Sequence, residues 1–162
     1  MARFNITGGG SFTLTNAGGN ADLMEIRPAD DKPVRLVGLI LGQTSEVADA
    51  AEEIIHVQIL RLPATFTTGN GSAATITATK RRDVGANSFA AEFNGATVAT
   101  TSGTIAYLEE FAWNMRAGPL EKYWDALAAQ YDAVEGEGLI IRCVSTVADD
   151  VTFTITVIVE ED

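Results

Sequence analysis

The closing stretch Val151-Thr152-Phe153-Thr154-Ile155-Thr156-Val157-Ile158-Val159 constrains the fold more than any other part of the sequence. Val151, Phe153, Ile155, Val157 and Val159 share one side of a period of two, and Thr152, Thr154 and Thr156 share the other. β-Branched residues on both sides at that period suit a pleated strand and fit no helix. The stretch predicts a strand with one face in a core and a hydroxyl-bearing face towards water.

Similar segments recur upstream, separated by glycine and polar turns. Phe12 and Leu14 alternate in a short segment, and Asp22 to Arg27 resumes extended character after Gly18-Gly19. Val34 to Leu41 is apolar on both faces and predicts a central strand covered on both sides. Ile54 to Leu62 places Ile55, Val57 and Ile59 on one face and His56 and Gln58 on the other. From Pro63 to Gly103 the chain is rich in Thr, Ala, Gly and Asn, which predicts weak strands and long loops. Ile105, Tyr107, Phe111, Trp113 and Met115 then share a face that Glu109 interrupts. Leu139 to Ser145 reads as a strand joined to Val151–Val159 in a closing hairpin. Leu120, Tyr123, Trp124, Leu127 and Tyr131 recur at spacings of three and four behind Pro119, so residues 119–131 are expected to form a short helix.

About eight strands at this spacing predict an all-β sandwich or barrel. Residues 1–10 are expected as an N-terminal arm, broken off by Gly8-Gly9-Gly10, and residues 11–162 as one β-sandwich domain. A chain of 162 residues buries enough surface to need no staple.

Composition narrows the function classes. Net charge is −11, and the one dense basic cluster is Lys80-Arg81-Arg82. That balance argues against a nucleic-acid or anionic-membrane partner. The expected cellular origin is a cytoplasm, since residues 1–7 show no apolar signal region and no apolar run approaches a membrane span. The single Cys143 shares a face with Leu139 and Ile141 and reads as a buried hydrophobe. His56 has no second His or Cys near it, so no metal site is expected there. Asp30-Asp31, Glu52-Glu53, Glu109-Glu110 and Asp149-Asp150 are adjacent acidic pairs without calcium-loop spacing, and read as solvated turns. No nucleophile elbow or phosphate loop is present, and the expectation is a non-enzyme with no cofactor.

What remains is self-association. The apolar excess on Leu36, Ile40, Ile54, Leu60 and Leu62 is explained by a subunit interface, or by a covering helix or loop. Phe4 and Ile6 extend the candidate interface if the arm adds to a neighbour's sheet edge.

The run Pro33 to Glu53 contains a strand followed by Gln43-Thr44-Ser45-Glu46-Val47-Ala48-Asp49-Ala50-Ala51-Glu52-Glu53. This run resembles small structural proteins of tailed phages and prophages. Ala90 to Thr104, with Thr100-Thr101-Ser102-Gly103-Thr104, is similar to them too, as is the closing pair of strands. The resemblance implies a jelly-roll-like β-sandwich acting as a capsid decoration (cement) protein. It further implies a homotrimer on the outside of the virion, bound to the major capsid protein. A tail-tip or fibre-base module and a carbohydrate-binding β-sandwich are the rival readings.

Overall fold

A computed structural model describes residues 2–15, 19–44, 54–78, 86–124, 131–144 and 147–162. Along the chain these form β1 (Ala2–Thr7), β2 (Phe12–Leu14), β3 (Ala21–Arg27), β4 (Val34–Gln43), β5 (Ile54–Leu62), β6 (Phe66–Thr67), β7 (Ser72–Ala73) and β8 (Thr75–Ala78). They continue with β9 (Ala90–Gly95), β10 (Thr100–Thr101), β11 (Ala106–Asn114), β12 (Leu120–Tyr123), β13 (Tyr131–Ala133), β14 (Gly138–Cys143) and β15 (Val151–Glu161). The strands pair antiparallel throughout. Fifteen strands replace the expected eight.

Eight of them form a frame. One sheet runs β12-β4-β15-β1 and continues to β8, with β13 also on β4 and β2 also on β15. The other runs β11-β5-β14-β3 and continues to β9 and β7. The chain changes sheet at almost every frame strand, and its first and last strands lie side by side. This order is that of a jelly roll, two Greek keys wound into two sheets. The fold is therefore an all-β, jelly-roll-like sandwich.

The core lies between the sheets, as strand alternation requires. Val151, Phe153, Ile155, Val157 and Val159 point inward from β15, and Ile55, Val57 and Ile59 from β5. Phe153 centres an aromatic group, 4.4 Å from the Phe12 ring and 6.3 Å from Trp113, both edge-on. Edge-to-face rings add to the area that they bury. Cys143 is buried in the same core.

Four expectations change. Leu120–Tyr123 and Tyr131–Ala133 are strands on β4, not parts of a helix. Pro119 precedes the strand, where its missing N–H costs nothing, and residues 125–130 lie outside the described residues. The only helical turn described is a short 3₁₀ turn at Met115–Ala117. β14 and β15 form no hairpin: β14 pairs with β3 and β5, whereas β15 crosses to the other sheet. Residues 2–7 are no free arm, since β1 lies between β15 and β8 of its own chain. Val34–Leu41 is apolar on both faces for a local reason. The ladder shifts register opposite Ile158 and Val159, so Leu36 and Leu39 both face inward around Val37.

Candidate functional site

The two outer faces of the sandwich differ in kind. On the β5-β14-β3 sheet the outward residues Leu60, Leu62 and Ile140 are buried in a second small core with Ala99, against which Phe66 and Ile105 pack. The cover is the excursion between β5 and β11, which carries the two-stranded β6-β10 sheet. This excursion is poor in apolar residues, and buried carboxylates hold it down.

Asp22 Oδ1 accepts from Arg142 Nε at 2.5 Å, and its Oδ2 accepts from Arg142 Nη2 at 3.1 Å and from the Ala99 amide at 2.6 Å. Arg142 also donates to the Ala99 carbonyl at 2.8 Å. A two-pronged guanidinium–carboxylate pair with its remaining valences satisfied is the arrangement that makes a buried ion pair tolerable. Glu25 Oε2 accepts from the Gly69 amide at 3.0 Å. Its Oε1 is buried without a hydrogen bond, 3.7 Å from Arg27 Nε. Burial raises the Glu25 pKa, and the Gly69 amide and Arg27 only partly oppose this. Glu161, buried at the end of β15, accepts from Ser88 N, Ser88 Oγ and Phe89 N. These three acids bind backbone N–H groups at Gly69, Ser88, Phe89 and Ala99, which is how they fasten the excursion.

The outer face of the other sheet carries no such cover among the described residues. Its outward positions run from the Thr13–Thr152 pair through Gly42, Thr154, Ile40, Thr156, Thr7 and Thr75. A further row places Tyr123, Gly38, Ile158, Asn5 and Thr77 side by side across five strands. Tyr123 is half exposed, its ring lying over Gly38 beside Ile158; a Cβ at Gly38 would stand 2.9 Å from that ring. Glycine lets the aromatic lie flat on the sheet. At one end Arg3 pairs with Glu160 and Arg35 with Asp162.

Where the sheets meet at β11 and β12, two charged residues point inward and meet each other. Glu109 is bonded by Lys122, by Trp124 Nε1 at 2.9 Å and by Tyr131 Oη at 3.0 Å. Burial pushes the Glu109 pKa up, but the three donors outweigh it and leave it lowered. Lys122 Nζ also lies 4.8 Å from the centre of the Phe111 ring. These partners, all within the chain, close the sandwich edge.

The candidate interface residues are dispersed by this architecture. Phe4, Ile6 and Leu36 are in the main core and Leu60 and Leu62 in the second, so none of the five reaches a partner in this fold. Ile40 is half-buried on the open face. Ile54 is 62% exposed on the other sheet, opposite Asn114. The acidic pairs do not converge: Glu109 faces inward while Glu110 accepts from Gln58 on the outer face. Glu52-Glu53 lie outside the described residues. Among the described residues no group of three or more His, Cys, Asp or Glu is placed to hold a metal ion.

No protein-family model, curated protein or solved structure matches this chain. Asp22, Glu25, Arg142 and Glu161 were not legible as a set, because their partners lie 43 to 120 residues away in sequence. The open threonine face was legible in part, from Thr152, Thr154 and Thr156 on the second side of the final strand.

Proposed function

We propose that the chain is a non-enzymatic structural protein of a tailed-phage virion, a decoration protein that binds the outside of the capsid and reinforces it. Its partners in this reading are the major capsid protein and copies of itself. The observation that carries the reading is the jelly-roll strand order, an architecture used by viral capsid domains, in a chain whose segments resemble phage structural proteins. A fold alone assigns no function. A ligand that binds only the assembled shell stabilises it by mass action, without chemistry.

The test is co-sedimentation of the purified protein with capsid shells that lack it, followed by imaging. Saturable binding at regular sites on the outer surface, with a raised shell disruption temperature, is the expected result. Failure to bind shells, or density confined to the tail, overturns it.

A further inference from the structure

We infer that the open face of the seven-stranded sheet is the contact surface between two copies of this chain, packed face to face about a twofold axis. Between the Thr13–Thr152 pair and the Tyr123-Gly38-Ile158-Asn5-Thr77 row, its outward side chains carry one charged group, Glu121 at the edge. The outer side of the opposite sheet exposes Glu110, and its Asp22, Glu25 and Arg142 are buried beneath the excursion. Depletion of charge is a compositional mark of an interface core, and Tyr123 adds an aromatic at the β12 edge of the patch.

Charge also selects the occupant. A chain of net charge −11 repels its own copy wherever their acidic surfaces face each other. The neutral sheet face is where two copies approach at least cost. Threonine hydroxyls both donate and accept, so one array is complementary to itself under twofold rotation. Sheets pack face to face in an aligned arrangement, and this one is uninterrupted across five strands. At about 4.8 Å between strands and about 3.4 Å per residue, the strand segments within these limits, only four residues long in β8 and β12, give a patch of about 420 Å² before side-chain relief and the Arg3–Glu160 rim are added. Stable interfaces use about 800 Å² per partner, so the face has the area of a weak, transient dimer. A twofold contact makes dimers in place of the trimer expected from the sequence. The inference does not rest on the virion reading, and its test contains no shell.

The experiment is sedimentation equilibrium of the full chain with T154R, T156R and A112R, the last on the outer side of β11. The wild type is expected to dimerise. T154R and T156R should weaken association at least about tenfold in Kd, with A112R unchanged. As a second arm, T156C is treated with a bismaleimide whose span covers the patch; because Cys143 is buried, a cross-linked dimer reports contact across this face even if the arginine variants misfold. A wild type that stays monomeric up to about 100 μM overturns the inference. So does a dimer that A112R disrupts and T154R does not, or a T156C protein that fails to cross-link.

Discussion

Removing the Asp22 carboxylate should be among the most damaging single changes available outside the apolar core. Asp22 is 2% exposed and Arg142 7% exposed, so Asp22→Ala leaves a guanidinium in a site that water reaches poorly. Breaking a buried pair from one side costs about 3–5 kcal/mol. The Ala99 amide also loses its acceptor, and a buried unsatisfied donor costs about 1–3 kcal/mol. The two costs do not add fully. Arg142 still donates to the Ala99 carbonyl, and the excursion can lift to admit water. A net loss of about 4 kcal/mol is the working figure, a large share of a domain's usual 5–15 kcal/mol. For a chain of this size it corresponds to about 8–16 °C in Tm.

Urea unfolding of wild type, D22A, R142M and the double variant supplies the test. Removing both charges leaves no uncompensated ion, so the double variant should be less destabilised than the sum of the singles by at least about 2 kcal/mol. A D22A loss below about 1 kcal/mol refutes the reasoning, as does simple additivity. Amide exchange at Ala99 gives an independent reading. It should accelerate in D22A far more than exchange in β15, because the excursion opens while the frame persists.

Glu25→Gln should behave in the opposite sense, since glutamine still accepts from the Gly69 amide and removes a desolvated charge. The folded-state pKa of Glu25 is raised, so the folded chain holds the proton to higher pH, and wild-type stability rises as pH falls towards the ordinary value of 4.5. E25Q should be no less stable than wild type at neutral pH and should lose that rise; a strongly destabilised E25Q contradicts the assignment. Glu109 works below that window: with its pKa lowered, its contribution is present above 4.5 and is lost as pH falls through the folded value. Trp124 emission, which reports on the group bonded to Glu109, should change over that acid range in wild type and not in E109Q. Phe153→Ala removes a fully buried ring from the aromatic centre and should cost about 3–5 kcal/mol in chemical denaturation. Gly69→Ala would drive a Cβ into the Thr97 carbonyl oxygen, a backbone atom that cannot swing aside, and should loosen the excursion by protease sensitivity while β15 stays protected from exchange.

How much of this was legible depends on how local each cause is. The final strand was readable because its period of two is carried by adjacent residues and matches β15 almost residue for residue. The helix expected at residues 119–131 failed because Leu120, Tyr123 and Trp124 meet a helical spacing by coincidence. In the fold Leu120 faces the core, Tyr123 the open face, and Lys122 the Glu109 carboxylate. Leu36, Leu60 and Leu62 read as apolar excess, and the structure places Leu36 in the main core and Leu60 and Leu62 in the second core. A register shift in β4 turns Leu36 inward, and a folded-back excursion covers Leu60 and Leu62, each set by residues remote in sequence. The hairpin of β14 with β15 failed for the converse reason: neighbours in sequence were taken as neighbours in a sheet, while the jelly roll sends them to opposite layers.

The way the excursion is fastened explains how the described parts of a segment poor in large apolar residues are held in place. Pro63 to Gly103 supplies few large apolar side chains: Phe66, Phe89, Phe93 and little else. Such a segment cannot offset its conformational entropy by burial alone. Its backbone amides are the remaining resource. Asp22, Glu25 and Glu161 each take up one or more of them from strands that the main core already fixes. A buried carboxylate is costly when unpaired and valuable when several N–H groups converge on it. The same interactions that order the excursion therefore penalise every other placement of it. This assigns the acids of an acidic chain two separate tasks. Exposed ones raise the charge that limits approach by other copies, while Asp22 and Glu25 beneath the excursion and Glu161 at the end of β15 fasten the excursion in place.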